Sequence, residues 1–248
     1  VTSGRFLRHP FQTLTALALL LAALPAAAQW SGKGEAGVAL ASGNTNSNTA
    51  NAKIAVARKS DAWENSGTLV ALYVRNSGVT TARRWELGGQ TRFNYNEGRS
   101  FWYGGARYEE DRFSGFEHQG VVNSGLGHRF IDNDTTKFSG QAGVGFKFWE
   151  TLDSAEPRVL DTNPSNIVGV ARVDFEHKLV ESTTAFNHFS AEFTSHSNFL
   201  QNELGIIVKM TDRFALAVSW ALRHNTQPPE GFAKTDTLTT VNLVYEVK

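Results

Sequence analysis

The sequence predicts an all-β protein: an antiparallel, up-and-down transmembrane β-barrel of about 12 strands behind an N-terminal export signal. Three observations carry this. The first 28 residues read as a signal peptide, the remainder alternates apolar and polar residues with a period of two, and the connections between alternating segments fall into shorter and longer classes.

The export signal comes first. Arg5, Arg8 and His9 form a basic start, Phe11 to Leu24 is an apolar run, and Pro25 breaks it ahead of Ala26-Ala27-Ala28. The run is shorter than the roughly 20 residues that a membrane helix needs. Cleavage is expected after Ala28, so residues 1–28 are the signal and 29–248 the barrel domain. The chain contains no Cys, which excludes disulfides and lipid attachment to a cysteine. Its formal net charge is zero, so the clustered basic charge of a nucleic-acid binder is missing. No metal-ligand spacing of His and Cys occurs, and no motif calls for a cofactor.

Mean hydropathy is −0.29, which fits a barrel because lipid-facing and lumen-facing residues cancel in an average. The expected strands are 32–42, 48–59, 64–75, 82–95, 101–111, 119–131, 136–149, 166–179, 184–194, 201–210, 213–224 and 237–247. Alternation is plainest from Trp85 to Tyr95, where Trp85, Leu87, Phe93 and Tyr95 oppose Glu86, Gln90, Arg92 and Asn94. It recurs from Phe138 to Phe148, from Leu204 to Met210, from Phe214 to Leu222 and from Val241 to Val247. A helix would instead repeat its apolar residues every three to four positions. The segment from Glu64 alternates least.

Short turns are expected at 60–62, 96–99, 132–134, 181–183 and 211–212, rich in Asp, Asn and Gly. Longer loops are expected at 42–47, 76–81, 112–118, 151–165, 195–198 and 225–236. Short turns on one side and long loops on the other belong to outer-membrane barrels. Two aromatic girdles are expected. One comprises Trp30, Trp63, Tyr95, Phe101, Trp102, Tyr103, Phe130, Phe186, Phe214 and Tyr245; the other comprises Tyr73, Trp85, Tyr108, Phe148, Trp149 and Trp220.

The motifs WSGKGEAGVALASGNTNSNT, ARYEEDRFSGFEHQGVVNSGLGHRFID and LRHNTQPPEGFAKTDTLTTVNLVYEVK resemble the salt-induced outer membrane protein family, a domain family of unknown function. Trp30, Ser42-Gly43-Asn44-Thr45, Tyr108 with Asp111-Arg112-Phe113, Gly125-Leu126-Gly127 and Lys234 to Thr237 carry the resemblance. It implies an outer-membrane barrel and brings no established catalytic residue. Such barrels commonly end on an aromatic, where this sequence reads Tyr245-Glu246-Val247-Lys248. The expected partners are outer-membrane lipid and lipopolysaccharide, with periplasmic chaperones and the barrel-assembly machinery during biogenesis.

The inward faces are rich in charge of both signs. Arg92, Arg107, Glu109, Arg129, Arg172, Asp174 and Glu176 on central strands form a candidate lumen network. Such a network either plugs the barrel or lines a narrow, porin-like channel. Either way the expected protein is non-enzymatic, structural or channel-forming, with a link to salt or acid stress. The first alternative is a lipid or lipopolysaccharide hydrolase using His188, Ser190 and Glu192 on one strand face, or His196 and Ser197 in a loop. The loop group resembles the His/Ser sites of outer-membrane lipid deacylases without their spacing. Same-face neighbours on a strand stand about 7 Å apart, too far for a direct nucleophile–base bond without side-chain reach. The second alternative is a soluble periplasmic ligand-binding barrel, which requires polar outer faces. Glu109-Glu110-Asp111 reads as a solvated rim, and the alternating Gly125, Gly127, Gly143 and Gly145 as close packing or inward space.

Overall fold

A computed structural model describes residues 30–42, 47–76, 79–111, 114–151 and 166–247. The expected signal, residues 1–28, lies outside them, as do Gly43-Asn44-Thr45, Arg112 and Phe113.

The alternating segments form twelve strands. They are β1 (Trp30–Ser42), β2 (Ser47–Lys59), β3 (Trp63–Asn76), β4 (Val79–Tyr95), β5 (Ser100–Asp111), β6 (Phe116–Asp132), β7 (Thr136–Thr151), β8 (Asn166–Val180), β9 (Thr183–Phe193), β10 (Asn198–Lys209), β11 (Phe214–Asn225) and β12 (Thr235–Val247). Each pairs antiparallel with its neighbours in sequence, and β12 returns to pair with β1, from Gly32↔Val247 to Ser42↔Thr237. Closure leaves no strand edge unpaired, which the interior of a bilayer demands.

Loop parity is weaker than the sequence suggests. The connections at 152–165 and 226–234 are long, but only two residues, 77–78, separate β3 from β4, as few as the 181–182 between β8 and β9. The strands account for this: β4 begins at Val79, β6 at Phe116 and β10 at Asn198, taking residues expected in loops. The tight β4–β5 turn places Asn96, Glu97 and Gly98 all at positive φ (53°, 56° and 81°), with Gly98 N donating to Tyr95 O at 3.2 Å. A left-handed Glu97 is sterically costly, and the turn tolerates it between Asn and Gly.

The outer wall is apolar. Ile167, Val38, Val144 and Phe146 are 72%, 68%, 67% and 63% exposed. Aromatic rings mark the short-turn end, with Trp63 on Phe93, Phe214 on Tyr245, and a chain of rings from His128 through Phe130 and Phe138 to Phe175 and His177. Four expected girdle members are elsewhere. Phe101, Tyr103 and Phe186 point into the lumen and are buried, and Trp149 shares the inward face of Lys147. The reason lies in the glycines. A Cβ on Gly127 would sit 2.2 Å from the Phe101 ring, one on Gly143 2.6 Å from the Tyr103 hydroxyl, and one on Gly205 2.6 Å from the Phe186 ring. The far end of each side chain reaches the space that a Cβ would fill on a neighbouring strand.

Glycine also shapes the cross-section. At the β6–β7 seam, a Cβ on inward Gly125, Gly143 or Gly145 would meet a neighbouring carbonyl oxygen at 2.1–2.2 Å. On the opposite side of the ring, at the β1–β12 seam, a Cβ on inward Gly37 would meet the Val241 carbonyl at 2.1 Å. Over Gly37, Asn51 of β2 donates to Asn242 of β12 at 3.0 Å, passing across β1. Glycine thus sits where the wall bends most tightly, at two opposed seams. The walls between the seams come close enough for side chains to span the lumen.

Candidate functional site

In its long-loop half the interior is crossed by side chains from facing walls. Arg223 on β11 donates through Nη1 to Asp111 Oδ2 at 2.6 Å and through Nη2 to Glu109 Oε1 at 2.5 Å, both on β5. In the closed order, β5 and β11 are diametrically opposite. Arg107 on β5 donates to Glu109 Oε2 at 2.6 Å and to Glu192 Oε1 on β9 at 2.5 Å. Lys147 on β7 donates to the other Glu192 oxygen at 2.6 Å. Arg84 and Glu86 of β4 bond at 2.8 Å, and Arg84 Nε lies 3.7 Å from Glu109. Glu109 and Asp111 are fully buried.

A ring anchors this latch. Phe199 of β10 has Arg223, Lys147 and Arg107 at 5.0, 5.2 and 5.8 Å from its centroid. Buried charges persist only where each is paired and hydrogen-bonded, and this geometry meets that condition with forked guanidinium–carboxylate contacts. What the group can do chemically is hold two walls together.

A second group lies nearer the short-turn end. Arg129 of β6 donates to Glu64 of β3 at 2.9 Å, to Asn94 of β4 at 3.1 Å and to the Gly98 carbonyl. Phe101 is faced by Arg92 at 4.5 Å and by Arg129 at 5.0 Å. Arg92 donates to Gln141 at 3.1 Å. Arg172 Nε donates to both oxygens of Asp174 at 2.9 and 2.8 Å, and Asp174 also meets His188 Nδ1 at 2.9 Å.

The seven residues expected to form one network therefore divide. Arg107 and Glu109 belong to the latch; Arg92, Arg129, Arg172 and Asp174 belong to the second group. Glu176 is exposed at the short-turn end and makes no ion pair among the described residues. Beyond the expected seven, the structure adds Asp111, Lys147, Glu192, Arg223 and Phe199 to the latch and Glu64 to the second group, and Glu109 and Asp111 are buried and not a solvated rim. Arg223 carried a signal, as a long cation ending the small-residue face Ala215, Ala217, Ser219, Ala221.

The hydrolase residues are present but not assembled. His188 bonds Asp174 and not Ser190, and the Glu192 carboxylate is occupied by Arg107 and Lys147. In the loop, His196 Nδ1 meets the Ser195 hydroxyl at 2.9 Å, and Ser197 bonds Thr194 through its backbone. Neither group presents a hydroxyl, a base and an orienting acid in series.

A family described as protein of unknown function, DUF481, matches residues 34–247. The chain belongs to this family. The resemblance carried by the sequence motifs is thereby borne out. "Uncharacterized protein YdiY" of Escherichia coli (strain K12) is 27% identical over 231 residues, covering 90% of this chain and 86% of that protein. Among solved structures, a NanC porin is similar with a TM-score of 0.57 and 9% identity, covering 88% of this chain and all of that one. The translocator domain of the autotransporter NalP from Neisseria meningitidis gives a TM-score of 0.52 at 11% identity, with 94% of each chain covered. At these identities the likeness is one of fold: a closed barrel of the outer-membrane kind.

Proposed function

We propose that the chain is a non-enzymatic outer-membrane barrel whose lumen is sealed by the latch, an envelope protein of small or no conductance. One observation carries the reading: Arg223 bridges the full width of the lumen to two buried carboxylates, Glu109 and Asp111. The apolar outer wall and its aromatic rings support residence in a lipid bilayer. Residues 1–28 act as the export signal on this reading. Outer-membrane lipid and lipopolysaccharide are the surroundings, and chaperones and the assembly machinery deliver the chain. The outward face argues against a soluble periplasmic barrel.

Planar-bilayer recording tests the seal. Wild-type protein is expected to show little or no stable conductance, and Arg223→Ala to show opening events. Stable, ohmic, ion-selective channels from the wild type would sink the reading and leave a narrow pore in its place. A link to salt or acid stress is tested separately, by comparing growth of cells with and without the protein under each stress.

A further inference from the structure

Among the described residues, the inward-facing Arg92 makes no ion pair with a carboxylate. Its guanidinium donates to the Gln141 amide at 3.1 Å, and the Gln90 amide, in the orientation that satisfies both groups, accepts from Arg92 Nε at 2.6 Å. One face of the guanidinium lies on Phe101. The charges acting on it are Asp174, Arg172, Glu64 and Arg129. Both of those carboxylates are engaged: Asp174 by Arg172 Nε and His188, Glu64 by Arg129 and Lys59. Arg129 also has Asp132 at 3.8 Å, so each carboxylate of the group is engaged by a cation other than Arg92. A partly buried cation in that position is costly without a counter-charge.

The wall beside Arg92 is built of donors. One register row runs Gln141↔Arg172, Arg172↔Ser190 and Ser190↔Gln201, all inward-facing and without a carboxylate. Arg172 spends only its Nε on Asp174, so both of its Nη groups are free of bonds among the described residues. Gln201 Nε2 is buried with no hydrogen-bond partner. Gln201 stands in register between Ser190 and Arg223, and a buried orphan donor in a row that holds Arg172 and Arg223 points to an acceptor-rich, negatively charged occupant.

We propose that the short-turn half of the lumen is a seat for a small oxyanion, a phosphate or carboxylate group. Arg92 and Arg172 clamp it, and Ser190 and Gln201 donate to it. The latch forms the roof, so the anion enters from the short-turn end and does not pass through. The seat goes beyond the sealed-barrel reading and rests on it only for the roof.

The test is titration of the purified protein in detergent micelles with inorganic phosphate, read by ³¹P line broadening. Saturable broadening is expected for the wild type. Arg92→Gln and Arg172→Gln are each expected to weaken binding by about tenfold or more, as loss of a charge-assisted donor pair implies. Arg83→Gln, on the outer face with a side chain 63% exposed, should bind as wild type does. Absence of saturable broadening in the wild type overturns the proposal, as does equal binding by Arg172→Gln. Arg172 is 44% exposed and its removal leaves the Asp174–His188 contact in place, so this variant stays decisive if Arg92→Gln does not fold. The readout is independent of conductance: a wild type that conducts yet binds phosphate through Arg172 refutes the seal and keeps the seat.

Discussion

Arg223 of β11 and Asp111 of β5 meet at 2.6 Å across the lumen, although they stand on opposite sides of a closed twelve-strand ring. Asp111 is fully buried, and the Arg223 side chain is only 14% exposed. Deleting the cation takes the shortest ion pair from each of two buried carboxylates, leaving Glu109 with Arg107 and Asp111 with Arg84 at 4.0 Å. Removing one partner of a buried pair costs roughly 3–5 kcal/mol. Arg223→Ala is therefore expected to lower the temperature of heat-modifiable gel migration as well as to raise conductance. Arg223→Lys should fall between, because an ammonium cannot fork onto Glu109 and Asp111 together. An Arg223→Ala protein with unchanged heat resistance and no conductance would show that the contact is incidental.

The Glu192 carboxylate divides a latch from a catalytic acid. It accepts from Arg107 at 2.5 Å and from Lys147 at 2.6 Å. Glu192→Gln should weaken the barrel, while a Ser190→Ala, Ser197→Ala double variant should leave cellular lipid acyl composition unchanged. A lipid profile that shifts in the double variant, with purified wild type active on lipid, would restore the hydrolase reading.

Glycine at the β6–β7 seam makes a third forecast. A Cβ at Gly143 would stand 2.2 Å from the Ser124 carbonyl oxygen, which is backbone and cannot swing away. Gly143→Ala is expected to reduce the folded yield sharply. Gly34→Ala, on the outward face with nothing within 4 Å, should change stability by less than about 0.5 kcal/mol. Equal yields in refolding assays would remove glycine as the cause of the tight bend.

The outer wall can be tested at its middle. Val144 is 67% exposed in the centre of an apolar strand face. Val144→Arg is expected to cost about 2–4 kcal/mol in a bilayer, the penalty of a cation near the midplane. The measurement is refolding equilibrium in lipid vesicles. A soluble barrel would tolerate the change, so a neutral result speaks against a lipid-facing wall.

The strands were legible because a period of two survives in the sequence wherever one wall faces lipid and the other does not. Even β3, where alternation is poorest, runs from Trp63 to Asn76 against an expected 64–75, because its inward Thr68 and Val70 blur the polarity but not the spacing. Which aromatics turn inward was not legible. Phe101 and Tyr103 face the lumen because bare glycines lie beneath them on β6 and β7, a fact of cross-strand register. Arg92, Arg107, Glu109, Arg129, Arg172 and Asp174 were legible as inward charges, but Arg223 and Glu64 were not, and neither were the pairings. Arg223 finds Glu109 because the wall is pinched at opposed seams, and no local pattern encodes a distance across a lumen.

The latch also imposes an order of events on assembly. Its central contacts join residues 112 and 114 positions apart, and one partner resides on the penultimate strand. Contacts of such separation form late, because chain entropy must be lost before they can reward it. Until β11 arrives, Glu109 and Asp111 must keep their water. Full burial of these two carboxylates thus coincides with completion of the ring. Desolvation of these two carboxylates then serves as a chemical signature that the last hairpin is in place.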